Sequence, residues 1–94
     1  MFVLIECKTC QVGTDVSEVR EFEDGTSTED LDSYARDIAY DNAESYGVFD
    51  EERAQCEDSG VEFNEDDCYS YSYTVLEGMT REQIEEEYGS ILPA

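Results

Sequence analysis

The side chains with the widest chemical range in this chain are four cysteines and a large excess of carboxylates. Cys7 and Cys10 stand in a CxxC spacing at the end of an apolar run, which matches half of a zinc knuckle. Cys56 and Cys68 are too far apart in sequence to supply the second close pair of a four-cysteine site. The thiols therefore read as ordinary reduced or buried groups, with zinc binding and disulfide formation as the competing readings. Neither EDGTSTED nor CEDSGVEFNEDD has the register of a calcium loop, which needs acids at alternate positions around a glycine and a closing glutamate. Histidine is absent, which removes the commonest general base, the triads built on it and the commonest metal ligand. No glycine-rich phosphate loop is present, and among 26 Asp and Glu no pair is singled out for acid and base work. The expectation is a protein that is not an enzyme and carries no metal or cofactor.

The carboxylates are the remaining lead. Against them stand only Lys8, Arg20, Arg36, Arg53 and Arg81, for a net charge of -21. Most acids must lack a basic partner. Between Val48 and Val75 the chain places Asp50, Glu51, Glu52, Glu57, Asp58, Glu62, Glu65, Asp66 and Asp67 against the single Arg53. Upstream, Asp30, Asp37, Asp41 and Glu44 fall within about 60° of one another on a helix, with axial separations of about 10, 6 and 4.5 Å. Phosphates of one duplex strand rise roughly 3.4 Å per step. Carboxylates at such spacings present a comparable line of charge. An ordinary solvated helix face would mix lysine among its acids, because like charges four apart cost a few tenths of a kcal/mol. This chain accepts that repulsion repeatedly, also at Glu82 with Glu86 and through Glu85 to Glu87. These acids are the candidate partner-binding residues.

The charge also sets what the partners are. Direct contact with nucleic acid or an anionic membrane is opposed, since both are bound by neutralising phosphates with Lys and Arg. No apolar run approaches the roughly 20 residues that span a bilayer. Met1 to Ile5 is too short for a secretory leader and Glu6 ends it, so a cytoplasmic location is expected. A basic nucleic-acid-binding protein is the expected partner. A mean hydropathy of -0.61 and the self-repulsion argue against a compact state. Seven Tyr, four Phe, one Pro and clear apolar periodicity argue for one. The reading is a single folded domain over 1–94, of modest stability.

The elements that would position these acids follow from periodicity. FVLIEC reads as a central strand buried on both faces, and SEVREFED as a second strand stopped at Asp24-Gly25, with a short helix through Val16, Val19 and Phe22 as competitor. TSTEDLDSYARDIAYDNAESYG is a helix capped by Ser27 or Thr28 and closed by Gly47, with Leu31, Tyr34, Ala35, Ile38, Ala39, Asn42, Ala43 and Tyr46 on one face. Residues 48–67 form a long acidic connection, with a helical turn around DEERAQC and a short strand at VEF. CYSYSYTVLEG alternates as a strand with Tyr69, Tyr71, Tyr73 and Val75 on one face. Those tyrosines suit core packing against the helix, or else an aromatic anchor for a partner. MTREQIEEEYGSIL begins at a Thr80/Gln83 capping box and offers Ile84, Tyr88, Ile91 and Leu92 for burial. The fold class is α+β: a small antiparallel sheet of about three strands, one long amphipathic helix packed on it, and a short C-terminal helix. That helix or a second copy of the chain, as a homodimer, would cover the sheet's other face.

In size, charge and lack of catalytic residues, the whole chain resembles the small, strongly acidic proteins that bacteriophages use to occupy nucleic-acid sites on host enzymes, including anti-restriction and some anti-CRISPR proteins. The resemblance implies competitive inhibition. Carboxylates pair with the Lys and Arg that would hold phosphates, and the groove of a nuclease or CRISPR effector is closed to DNA or RNA. Three other readings remain open: a halophilic acidic surface, an acidic adaptor for a basic protein, and a small zinc-stabilised module.

Overall fold

The computed structural model describes residues 1–94. Phe2–Thr9 (β1) and Val16–Glu21 (β2) form an antiparallel hairpin in which Val3 faces Arg20, Ile5 faces Glu18 and Cys7 faces Val16. On its other side β1 pairs antiparallel with Tyr69–Val75 (β3), setting Ile5 opposite Tyr73 and Cys7 opposite Tyr71. The apolar first strand is thus central, and the second segment is a strand and not a helix. The sheet has a fourth member, however. Arg81–Tyr88, the third helix (α3), ends at Gly89, whose φ of 94 and ψ of -151 lie where only glycine sits without strain. The chain there turns out of the helix, and Ile91–Pro93 (β4) pairs parallel to β2, with Ile91 beside Val19. Arg20 Nη1 donates to the Pro93 carbonyl at 2.8 Å and ties the strand down. The sheet is consequently mixed, in the order β3-β1-β2-β4, and not the expected three antiparallel strands.

Thr28–Ser45 is α1, and Ser27 caps it by accepting from the Asp30 N–H. Leu31, Ala35, Ala39 and Ala43, each four residues apart, are buried along it. Three of the four are alanines, so the helix can lie close to Val3, Ile5 and Cys7 of the sheet. Tyr34 meets Phe22 edge-on at 5.0 Å. Asn42 donates to the Thr14 carbonyl at 3.0 Å and anchors the β1–β2 loop to the helix. Tyr46 lies past the helix end and is half exposed.

Gly47 adopts a left-handed φ of 71, and the chain passes straight into a second helix, Val48–Ser59 (α2). The sequence reading expects a connection with one helical turn here, and a strand at 61–63 that does not form. Val48 and Phe49 are the fully buried residues of α2, and both sit in its first turn. The rest projects into solvent without an apolar stripe, so periodicity gives no signal. Asp50 and Glu51 favour the helix start electrostatically, and the Gly60 N–H closes its end on the Cys56 carbonyl. A single 3-10 turn, Glu65–Asp67, leads into β3.

The two crossover helices lie on opposite faces of the sheet. Tyr69, Tyr71, Tyr73 and Val75 pack with Val3, Ile5 and Cys7 beneath α1. The tyrosine stripe is therefore part of the packed face: Tyr71 donates to Asp32 at 3.1 Å, and Tyr73 to the Thr28 carbonyl. On the reverse face, Arg81 of α3 stacks on the Phe2 ring at 5.2 Å and pairs with Glu21 at 2.7 Å, and Ile84 and Val19 are fully buried. This short helix covers only part of that face. Glu6 and Lys8 of β1 stay exposed, so β1 is not buried on both faces along its whole length, and Tyr88 and Leu92 are also exposed. The molecule measures 50 × 26 × 17 Å, with a radius of gyration of 15.6 Å. A compact chain of this length would have about 12 Å. The elongation gives many carboxylates a place in water.

Candidate partner-binding site

Asp30, Asp37, Asp41 and Glu44 are all exposed on the flank of α1 away from its alanine seam. The file spans about 21 Å of helix axis at 1.5 Å per residue. From α2, Asp50, Glu51, Glu57 and Asp58 are exposed and Glu52 is half-buried; Glu62, Glu65, Asp66 and Asp67 are exposed in the segment that follows. Every acid singled out from the sequence is thus open to solvent at least in part. Of these acids only Asp50 is in an ion pair, with Arg53 at 3.4 Å. Arg20, Arg81 and the N-terminal amine pair with Glu18, Glu21 and Asp24, and neither Lys8 nor Arg36 forms an ion pair. Glu51 accepts from Gln11 Nε2 at 3.1 Å, a neutral contact that leaves its charge intact.

Three of these acids, distant in sequence, converge. Glu44 of α1, Asp50 of α2 and Glu65 line an open cavity of about 210 Å³ together with Tyr40, Phe49 and Arg53. An aromatic trio sets this geometry: Tyr40 and Phe49 lie 4.8 Å apart, and both meet Tyr69 of β3 edge-on near 6 Å. The Tyr40 hydroxyl donates to Glu65 at 2.9 Å, and that bond and the carboxylate charge raise the phenol pKa. One ring cluster therefore joins α1, α2 and β3 and carries acids from three segments. Asp30 is not part of this group, since it lies in the first turn of α1, at the far end of the helix. Sequence reasoning missed Asp32 and Glu18. Asp32 is held by Tyr71, and Glu18 chelates Arg20 beneath α1 at 3.2 and 3.3 Å. Asp32 has no local sequence signal, because Tyr71 is brought to it by the packing of α1 on β3; Glu18 and Arg20 stand two apart on one face of β2, and that spacing is a local signal.

Cys7 and Cys68 occupy separate environments. Cys7 lies in the core under α1, and Cys68 in a second cluster with Ala43, Val48 and Phe49. Cys10, although next in the CxxC, is exposed and turned toward Cys68, to whose carbonyl its N–H donates at 2.9 Å. No three Cys, Asp or Glu side chains converge in a geometry that would hold a metal ion. Burial, and then the charge of Glu18, pushes the Cys7 thiol up to about 11; burial, and then Cys10 and Glu52, pushes Cys68 up to about 11. The reference value is 9.0, so the folded state holds these protons more tightly than the unfolded state. Their contribution to stability is complete below pH 9 and is lost as pH rises through 11, at roughly 2–3 kcal/mol per thiol as an upper bound. Melting temperature is expected to fall steeply between pH 9 and 11. At pH 7.5, iodoacetamide should modify Cys7 and Cys68 only after urea is added. A melting curve flat across that range, or rapid native labelling of either thiol, would contradict the assignment.

The fold and surface define an acidic α+β domain built on a mixed four-stranded sheet, with a net charge of -21 and no helix long and apolar enough to cross a membrane. Comparison with protein-family models, with curated proteins and with solved structures finds no match to this chain.

Proposed function

We propose that this chain is a non-enzymatic inhibitor that presents carboxylates in place of DNA or RNA phosphates and blocks the nucleic-acid groove of a basic host defence protein, a nuclease or CRISPR effector. The observation that carries this reading is the unpaired state of the acids: with Asp50 excepted, none of the exposed carboxylates of α1, α2 and the segment to Asp67 is neutralised within the chain. Most of that charge opposes the folded domain. The repulsion between Asp37 and Asp41, one turn apart, opposes α1. Near the end of α2, Glu57 and Asp58 oppose the helix dipole as well. A partner lined with Lys and Arg turns both penalties into attraction and raises the encounter rate. The elongated body is long enough to lie along such a groove. The site of action is the cytoplasm, where such enzymes meet nucleic acid.

The test is competition. Immobilised protein captures targets from a bacterial lysate, and each captured enzyme is then purified and loaded with a labelled duplex or guide RNA. The chain should displace the nucleic acid, with an inhibition constant that weakens as salt rises. Captured proteins that keep their nucleic acid bound in the presence of saturating inhibitor would refute the reading.

A further inference from the structure

The sheet has one blunt edge and one open edge. At the blunt edge β4 is 3 residues long and ends in Pro93, which has no N–H to offer. At the open edge β3 is 7 residues long, YSYSYTV, without the lysine, proline or bulge that usually prevents edge strands from pairing. The hydrogen-bond phase of the sheet shows which groups β3 leaves free. Cys10 N–H donates to the Cys68 carbonyl and Leu76 N–H to the Phe2 carbonyl, both at 2.9 Å. In the register that sets Thr9 opposite Tyr69 and Val3 opposite Val75, the residues between those two bonds alternate. Ser70, Ser72 and Thr74 turn their backbone groups toward β1, and Tyr69, Tyr71, Tyr73 and Val75 turn theirs outward. The Val75 carbonyl accepts from the Glu77 N–H at 3.1 Å, and the other outward groups have no partner within the chain.

We propose that β3 is a strand-addition site for an extended, cationic segment of a partner protein, whose backbone pairs with the outward groups of Tyr69, Tyr71 and Tyr73. Charge chooses the occupant. Asp32 lies beside this edge, bonded to the Tyr71 hydroxyl, and the acidic turn Glu65–Asp67 immediately precedes the strand. Side chains of an added strand alternate across the sheet, so Lys or Arg at every second position would meet these carboxylates on α1's side. A second copy of the chain would have to bring another net charge of -21 to the same edge, and its own acidic turn alongside Glu77. The inference uses neither the acid file of α1 nor a nucleic-acid groove; it shares the turn Glu65–Asp67 with the proposed inhibition, but the backbone pairing its test reads is separate from displacement of nucleic acid.

The probe is a fluorescent peptide of alternating lysine and valine, matched to β3 in length, titrated into the full chain. Controls are the glutamate–valine peptide and a lysine–valine peptide N-methylated on alternate residues, which keeps the charge but removes the pairing donors. The first peptide should bind and should slow exchange of the Tyr69, Tyr71 and Tyr73 amides. N-methylation should weaken it by at least about tenfold, as loss of one or two net hydrogen bonds would, and the glutamate peptide should not bind. No binding of the lysine peptide overturns the proposal, as does equal binding after N-methylation or binding that leaves those amides unprotected. Amides already protected in the free protein, with a sedimenting mass of two chains, would overturn it in favour of self-pairing.

Discussion

A variant with Asp30, Asp37, Asp41, Glu44, Glu62, Glu65, Asp66 and Asp67 changed to Asn or Gln is expected to remain folded and to lose its hold on the target. The substitutions keep side-chain shape and remove charge, and all eight positions are exposed, so no core contact is lost. The Tyr40 hydroxyl keeps an acceptor, since a glutamine oxygen can replace that of Glu65. An exposed ion pair is worth about two- to five-fold in affinity. Eight such changes should therefore weaken binding by at least about 250-fold, in steps as they accumulate. Stability should move the other way. Asp37, Asp41 and Glu44 are within one turn of their neighbours on α1, and neutralising them relieves that repulsion. Added salt screens charge over roughly 10 Å at 0.1 M, so it should raise the melting temperature of the natural chain more than that of the variant. Titration of labelled duplex off the target measures the first effect, and thermal melts measure the second. If the folded variant competes as well as the natural chain, phosphate mimicry is wrong. Collapse of the natural fold below about 1 M salt would instead favour a halophilic surface.

Replacing Phe49 by Ala should cost about 3–5 kcal/mol, the range for buried aromatic truncations. Phe49 is 7% exposed and packs against both Tyr40 and Tyr69, so its removal opens a cavity where three elements meet. It is one of only two buried residues of α2. The helix should lose its attachment, and its amides should exchange with solvent under conditions where those of α1 remain protected. Val61→Ala is the control: that side chain is 62% exposed, and its loss should change stability by no more than about 0.5 kcal/mol. Urea denaturation of the two variants decides the matter. A cost below about 1 kcal/mol for Phe49→Ala would mean that this ring does not hold α2 in place. Target binding should fall as well, because Asp50, Glu51, Glu57 and Asp58 would no longer share a fixed frame with α1.

Where side-chain pattern and backbone geometry share a period, the structure is legible in the sequence. The run FVLIEC marks the central strand, although its second face is covered only in part, and the alternation of YSYSYTV marks β3 with its tyrosines on one face. Leu31, Ala35, Ala39 and Ala43 recur every four residues, and α1 buries that seam; the Thr80/Gln83 box begins α3 where its spacing says it should. The exposure of the candidate acids follows from their number, because five basic residues could not pair with 26 carboxylates. What the sequence left undecided depends on contacts between distant segments. Helix α2 is tethered by two residues at one end, so it has no periodic stripe to read, and Phe49 finds its site among Tyr40 and Ala43 of α1, Cys68, and Tyr69 of β3. β4 is three residues long and takes its structure from the free edge of β2, an edge that exists only after the hairpin has formed. The meeting of Glu44, Asp50 and Glu65, and the outward face of β3, are likewise products of register and helix packing. Local sequence sets which groups are charged and which are apolar; the tertiary structure decides which charges become neighbours, because that distance is set by the packing of elements far apart along the chain.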